Sequence, residues 1–172
     1  MDEAFETNYD QLVYILVSVL ENPVTLEHIR NLAGLQLKNL LKANDESIKQ
    51  RKLEKWNSCD PAIREQVRDK LLATLSSTIP GLSKSVAQAV AAFAAVEIPL
   101  GGWPTLLPQL IRNISDPGIS LDPKVASLEA LGFMCEAVDI DDIEKVEETH
   151  RPSILHITYF LVIPCIPVSM TG

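Results

Sequence analysis

The chain has 172 residues, a formal net charge of −8, 47% hydrophobic residues and only 5% aromatic residues. This length suits one ordinary domain or about three to four helical repeats. A core of Leu, Ala, Ile and Val favours stacked helices over a sheet. The acidity excludes nucleic acid as a main partner, because phosphate binding needs clustered Lys and Arg. It suits basic proteins, although acidity also serves simply to keep a protein soluble.

The sequence shows no export or membrane signal. Cys59, Cys135 and Cys165 form no CxxC pair, which indicates separate thiols in a reducing compartment. The first ten residues are acidic and polar rather than a signal peptide. The apolar run 154–170 is interrupted by two prolines and is shorter than the ~20 residues of a membrane helix. We therefore expect a protein that does not enter a membrane.

The first predicted hairpin covers residues 8–42. Helical spacing of apolar residues predicts one helix over 8–21 and a second that ends near residue 42, with Thr25 as its cap. Gly34 lies in the middle of the second helix and costs about 1 kcal/mol relative to alanine, so we expect a neighbouring helix to pack closely there. The predicted apolar stripe of this helix consists of Leu26, Ile29, Ala33, Leu37 and Leu40.

A short charged helix over 46–58 is inserted before the second hairpin, and Trp56 is expected to anchor it by packing rather than by contacting a ligand. The second hairpin covers 61–98. Asp60-Pro61 begins it with an acidic cap and a proline at the first helical position, and an alanine-rich helix from Ser83 or Ser85 completes it. We predict that its first helix buries Ile63, Val67, Leu71 and Leu75 and exposes Arg64, Glu65, Arg68 and Asp69.

The third predicted hairpin covers 103–138. Its first helix, 104–114, contains Pro108, which is expected to remove one hydrogen bond and kink it. Asp122-Pro123 repeats the cap-plus-proline start for a helix that faces inward with Val125, Leu128, Leu131 and Cys135. Residues 141–172 form a divergent tail, acidic first and then apolar.

Small residues recur along the chain, and Ala92 and Gly132 lie about forty residues apart, the period of HEAT and armadillo repeats. The wider gap from Gly34 to Ala92 accommodates the inserted helix. We therefore predict an all-α fold, a right-handed α–α superhelix or HEAT-repeat solenoid, with about three helical hairpins plus the inserted helix. The predicted packing residues are Gly34, Trp56, Ala92, Trp103 and Gly132.

No catalytic or metal-binding pattern emerges from the sequence. The histidines His28, His150 and His156 lack zinc-ligand partners. The acidic run 139–142 lacks the glycine and the closing glutamate of a calcium loop, and the sequon Asn113-Ile114-Ser115 means little without a secretory signal. We expect neither an enzyme nor a bound cofactor or metal.

Three segments in order and spacing resemble the N-terminal HEAT repeats of the importin β (karyopherin β) family. They are AGLQLKN (33–39), VEIP (96–99) with WPTLLPQL (103–110), and LEALGF (128–133). The resemblance covers roughly residues 8–140. Such proteins are superhelical nuclear transport receptors that carry cargo through nuclear pores and release it when GTP-bound Ran binds their N-terminal repeats.

The resemblance implies that the second helix of each pair, over 25–42, 85–96 and 124–138, lines a concave face. Polar residues there are candidates for contacts with Ran, although each alone is equally compatible with solvation or with a bond to an adjacent repeat. These candidates are Arg30, Asn31, Lys38, Asn39, Gln88, Glu129 and Glu136. The resemblance also implies nucleoporin partners, residence in the cytoplasm and nucleus at the nuclear pore, and importin α or basic cargo only if later repeats were present.

Two departures from the family pattern accompany this resemblance. The family has another helix pair before the segment matching 8–21, where only residues 1–7 precede it, and the match decays beyond Ile140. Three interpretations follow: a fragment or short form of an importin β receptor, a general HEAT-repeat scaffold for a protein complex, or a non-functional truncated form.

Overall fold

A computed structural model describes residues 9–137 except Thr78 and Pro80. The predicted tail, the acidic run 139–142, His150, His156 and Cys165 lie outside the described residues. Within the described range the chain forms seven α-helices and one short 3-10 helix, Ile98–Leu100, without a β-strand. The α-helices are α1 (Tyr9–Glu21), α2 (Glu27–Leu41), α3 (Glu46–Ser58), α4 (Pro61–Ser76), α5 (Ser83–Glu97), α6 (Leu106–Ser115) and α7 (Leu121–Ala137).

The helices stack in two layers. In the first layer α1 contacts α4 and α4 contacts α6, and in the second layer α2 contacts α5 and α5 contacts α7. Each first-layer helix pairs with the helix that follows it in its hairpin, and α3 lies against α2. This arrangement confirms the predicted solenoid of three hairpins with one inserted helix.

Small side chains let α5 lie between α2 and α7. The alanines Ala87, Ala89, Ala91 and Ala94 of α5 are buried, and on α2 a Cβ added to Gly34 would lie 3.1 Å from the Ser85 Cβ and 3.2 Å from the Ser85 carbonyl oxygen. Glycine at this position therefore permits the close approach of α2 and α5 that the sequence predicts.

The expected contact at Gly132 is wrong for the described part of the chain. Gly132 is exposed, and a Cβ added there would meet no atom within 4 Å. Ala126 and Ala130 are the buried small residues of α7 instead, and at 100° per residue they lie on the opposite side of the helix from Gly132. Ala92 is half-buried, so it marks the edge of a packed face rather than its centre.

Helix starts follow local capping chemistry where a side chain is suitably placed. The Asp60 carboxylate accepts a 2.8 Å hydrogen bond from the Ala62 amide, with Pro61 in the first turn, as predicted. The predicted cap at Thr25 is wrong, because α2 begins at Glu27 and its N-cap position, Leu26, provides no side-chain hydrogen bond.

Two further predicted starts are displaced. Helix α6 begins at Leu106, two residues later than predicted, so Pro108 lies in its first turn, where backbone amides lack helical partners in any case. The expected loss of a hydrogen bond at Pro108 therefore does not occur. Helix α7 begins at Leu121, which places Asp122 inside the first turn rather than at the cap.

The buried face of α4 agrees with the prediction, since Val67, Leu71 and Leu75 are wholly buried. The predicted inward face of α7 is wrong for Val125, Leu128 and Cys135, which are exposed, whereas Leu131 is half-buried and packs against the core. The buried residues of α7 include Pro123, Ala126, Ala130 and Met134. Because α7 itself carries apolar residues on every side, their spacing in the sequence does not identify the buried face.

The predicted apolar stripes of the first hairpin are also rotated. On α1, helical spacing predicts a stripe of Leu12, Ile15, Leu16, Val19 and Leu20. Leu20 of this stripe is buried but Ile15 is exposed, and the other buried residues are Val13 and Val17. On α2, Leu26 and Ile29 of the predicted stripe are exposed, while Arg30, Ala33, Gly34, Leu37 and Leu41 are buried. Arg30 and the small residues Ala33 and Gly34 therefore face the neighbouring helices in the first half of α2, and Leu37 and Leu41 do so in the second half.

Both tryptophans are buried. Trp56 of α3 packs edge-on against Phe93 of α5, with ring centroids 4.8 Å apart and an interplanar angle of 81°, so it anchors the inserted helix as expected. Trp103 is 4% exposed.

The predicted solvation of Arg68 is wrong, because its guanidinium bonds the buried Glu97 carboxylate at 3.0 Å and also the Gly102 carbonyl.

Neither a metal-ligand cluster nor a membrane-spanning helix occurs in the described residues. No three His, Cys, Asp or Glu side chains in 9–137 lie together as a metal site would require, and no described helix is long and apolar enough to cross a bilayer. Asn113 is wholly buried, and its side-chain amide donates to Ser76 and Ser127. The sequon around Asn113 is therefore inaccessible in the folded chain.

Candidate protein-binding surface

The candidate surface is the outer face of the second layer, formed by the sides of α2, α5 and α7 that point away from the first layer. We call it the second-layer face. Helices α2 and α5 run parallel. Asn31 and Gly34 of α2 lie against Ser85 of α5, and Lys38, further along α2, contacts Gln88, further along α5. Parallel neighbouring helices place corresponding side chains in adjacent rows, which is the arrangement needed for an extended contact with another protein.

Arg30 does not lie on this face. It is 9% exposed, and its Nε donates a 2.8 Å hydrogen bond to the Leu20 carbonyl, while Nη2 donates to the Glu21 carbonyl at 3.4 Å. These carbonyls belong to the last turn of α1, where a positive charge is favourable. Arg30 therefore caps the helix that precedes it, and its contact with Ran stays a prediction.

Asn31 lies at the boundary between α2 and α5. Its Nδ2 donates to the Gly81 carbonyl at 2.9 Å, and its Oδ1 accepts from the Ser85 hydroxyl at 2.6 Å. Both ends of this amide are therefore bonded to the next hairpin. Lys38 and Gln88 form a similar but longer contact, 3.4 Å between Nζ and Oε1. These three candidates connect adjacent repeats.

The remaining candidates are more accessible. Asn39 and Glu136 are exposed, at the C-terminal ends of α2 and α7 respectively. The backbone carbonyl of Asn39 accepts a hydrogen bond from Lys52 of α3 at 2.6 Å. Asn39 itself is exposed. Glu129 is half-buried, and its Oε2 has no hydrogen-bond partner among residues 9–137.

Sequence analysis missed two apolar residues on α2. Leu32 is 53% exposed and Leu35 is 40% exposed, and both lie on the side of α2 opposite its buried residues. Leucine is as common in a core as on an interface, so residue type alone does not identify them. Only their position around the helix, opposite Arg30, Gly34 and Leu37, shows that they are accessible. Two accessible leucines between polar candidates give this face the mixed chemistry of protein interfaces.

The family model for the importin-beta N-terminal domain matches residues 3–77. Importin subunit beta-1 of Arabidopsis thaliana is 34% identical over 140 residues, and that of Schizosaccharomyces pombe is 35% identical over 138 residues. The matches cover 81% and 80% of this chain. The chain belongs to the importin β family. It spans 16% of the length of these two relatives.

Solved importin β structures contain the same stack of helices. Yeast importin β (Kap95p) superposes with a TM-score of 0.73 at 34% identity over 77% of this chain and 15% of that one. Kap95 in a complex with Nup1 gives 0.75 at 31% identity over 87% and 17%. A third structure concerns Kap95p and RanGDP, in which Kap95p binding induces the switch loops of RanGDP to adopt the GTP-bound conformation. Its TM-score is 0.72 at 34% identity, over 77% of this chain and 15% of that one.

Importin β proteins are transport receptors. In this chain α2 contacts α5 and α5 contacts α7, so a row of adjacent helices, rather than a reactive group, forms the candidate surface. Of the candidates on α2 and α7, Asn39 and Glu136 are exposed and Glu129 is half-buried.

Proposed function

We propose that this chain acts as the N-terminal part of a nuclear transport receptor and binds GTP-bound Ran through the second-layer face during nuclear protein import. The observation that carries this proposal is the position of Asn39, Glu129 and Glu136 on helices of one layer, with two of the three exposed. The Ran-associated Kap95p structure shares this stack at 34% identity.

The chemistry of the face suits a protein partner. Glu129 and Glu136 add negative charge to a chain that carries −8 overall, which favours a partner with basic groups opposite them. Leu32 and Leu35 supply apolar area beside these polar groups, and buried apolar area provides much of the free energy of association. We expect Asn31, Lys38 and Gln88 to act indirectly, by keeping α2 and α5 in register.

The proposal implies binding rather than catalysis, without a cofactor, and exchange between cytoplasm and nucleus at the nuclear pore. The Nup1 complex of Kap95 supports nucleoporins as further partners. Importin α and basic cargo belong to the proposal only for a chain that carries additional repeats, because this one spans about one sixth of its relatives.

Capture of Ran by the immobilised full chain tests the proposal. Ran loaded with a non-hydrolysable GTP analogue and Ran loaded with GDP are passed over equal amounts of the chain, and the retained fractions are compared. We expect clear retention of the GTP form and much weaker retention of the GDP form. Equal retention of both forms would favour a general scaffold, and retention of neither by a cooperatively folded chain would remove Ran as its partner.

A further inference from the structure

The inserted helix α3 carries a concentrated positive charge in an acidic protein. Residues 46–58 contain four Lys and Arg and two Asp and Glu, a net charge of +2, whereas the whole chain carries −8. The remainder of the chain is therefore strongly acidic. The second-layer face does not include α3.

Four residues of α3 lie on one side of the helix. Ile48, Arg51, Lys52 and Lys55 follow the spacing i, i+3, i+4, i+7, which places them on one face. With Lys42 at the end of α2 they form what we call the basic face. Lys52 joins the two helices, because its Nζ donates to the Lys42 carbonyl at 2.8 Å and to the Asn39 carbonyl at 2.6 Å.

The acidic residues of α3 lie elsewhere. Glu54 accepts a 3.3 Å hydrogen bond from Gln50, and Glu46 pairs with Lys49 at 3.6 Å, all on other sides of the helix. Asp45 lies at the N-terminal end of the basic face. Its carboxylate accepts hydrogen bonds from the Ser47 hydroxyl and the Ile48 amide, which lower the pKa of Asp45.

The charges of the basic face are available to a partner. No ion pair joins Lys42, Arg51 or Lys55 to a carboxylate in the described residues. The two oxygens bonded to Lys52 are neutral carbonyls, so its charge is not cancelled either. Ile48 is 47% exposed in the middle of these cations, which adds an apolar contact point that a purely solvated charged face lacks.

We propose that the basic face binds a short acidic peptide segment of a partner protein, with one apolar side chain of that segment resting on Ile48. The length of the face supports a short ligand: 13 helical residues span about 20 Å, or about six extended residues. A longer polyanion, such as nucleic acid or a membrane surface, would extend over the acidic remainder of the chain at distances comparable with the Debye length of about 8 Å.

Fluorescence anisotropy with a labelled six-residue peptide, five acidic residues and one central leucine, tests the proposal on the full chain. We expect Arg51→Glu with Lys55→Glu to weaken binding by about tenfold or more, since both charges oppose the ligand after the change. The matched control, Lys49→Glu with Lys84→Glu, alters the net charge equally off the basic face, and we expect less than a twofold change. Arg51→Ala with Lys55→Ala provides a milder variant if charge reversal perturbs folding, which circular dichroism would detect.

Two additional probes complete the test. A peptide with serine in place of leucine should bind several-fold more weakly than the leucine peptide. Equal weakening by the basic-face and control variants would overturn the proposal, because it would indicate only a response to net charge. Tighter binding of a 20-nucleotide single-stranded DNA or of phosphatidylserine vesicles than of the peptide would overturn it as well, by assigning the face to another class of ligand.

Discussion

Trp56 donates a 2.7 Å hydrogen bond from Nε1 to Oε1 of Glu97, a carboxylate that is only 2% exposed. Oε2 of Glu97 accepts from Arg68 at 3.0 Å, and the Glu97 carbonyl accepts from the Gly102 amide at 2.8 Å. A buried charge is tolerated when it is paired and hydrogen-bonded. Glu97 thereby connects the inserted helix α3 to α4 and to the turn after α5.

We expect Trp56→Phe to destabilise the chain because it leaves one oxygen of the buried Glu97 carboxylate without its donor. Trp103→Phe is the matched control: Trp103 is also buried, but its Nε1 has no hydrogen-bond partner among residues 9–137. The Trp56 variant should lose about 1–3 kcal/mol more free energy of unfolding than the control. Urea unfolding followed by circular dichroism measures both, and equal losses would contradict the role of this hydrogen bond.

Two glycines should respond in opposite directions to the same substitution. At Gly34 an added Cβ meets the Ser85 Cβ at 3.1 Å and backbone atoms of Ser85 at 3.2 and 3.3 Å, so Gly34→Ala must displace α5. Overpacking costs about 1–3 kcal/mol, against about 1 kcal/mol of gained helix propensity. We expect a net loss of up to about 2 kcal/mol.

At Gly132 the added Cβ meets nothing within 4 Å, so Gly132→Ala should stabilise the chain by about 0.5–1 kcal/mol through helix propensity alone. Thermal and urea unfolding of the two variants measure whether each substitution raises or lowers the free energy of unfolding. Stabilisation by Gly34→Ala would show that α2 and α5 are not in close contact.

The sequence predicts features that depend on neighbouring residues along the chain. Asp60 caps α4 because its acceptor lies two residues from the amide it binds, and Val67, Leu71 and Leu75 recur at helical spacing in a helix whose other sides are polar. Gly34 was informative because an unfavourable residue inside a helix indicates a packing constraint. Local chemistry therefore gave the number, order and type of the helices.

The features that the sequence did not predict depend on contacts between distant residues. Nothing near Arg30 in the sequence indicates that it caps α1, so its polarity alone predicts a surface position. Helical spacing predicts a solvated Arg68, because its partner Glu97 lies 29 residues away. On α7, apolar residues on every side leave the buried face undetermined by the sequence. The contact between α7 and α5 determines it.

Arg30→Met should reduce stability rather than remove a surface contact. The substitution keeps the apolar stem but removes the donors to the Leu20 and Glu21 carbonyls, so we expect a loss of about 1–3 kcal/mol in the free energy of unfolding. Lys38→Met, which removes a 3.4 Å contact on a half-buried side chain, should cost less than about 1 kcal/mol. Unfolding in urea compares them, and an unchanged midpoint for Arg30→Met would refute the capping role.

Stability should decline at alkaline pH because of Cys59. Burial, a hydrogen bond with Asp10 and the negative charge of Asp10 raise the pKa of the Cys59 thiol above its ordinary value of 9.0. The unfolded thiol ionises near pH 9 while the folded thiol stays protonated. This contribution is therefore complete below pH 9 and is lost as the pH rises above it, by up to about 1.4 kcal/mol per pH unit.

The difference in unfolding free energy between the wild type and Cys59→Ala isolates the Cys59 contribution from that of Tyr9, whose pKa burial also raises. We expect the wild type to lose its advantage over Cys59→Ala between pH 8.5 and about 10.5. A difference that stays constant over this range would show that Cys59 ionises equally in both states.

The affinity of the full chain for GTP-bound Ran, measured with two matched double variants, tests the proposed binding face most directly. Asn39→Arg with Glu136→Arg alters exposed positions on the second layer, whereas Gln66→Arg with Glu65→Arg makes the same change of charge at exposed positions on α4 in the first layer. We expect the second-layer variant to weaken binding by about tenfold or more and the first-layer variant to stay within twofold of the wild type. Equal affinities for both variants, or a loss confined to the first-layer variant, would contradict the assignment of the second-layer face to Ran.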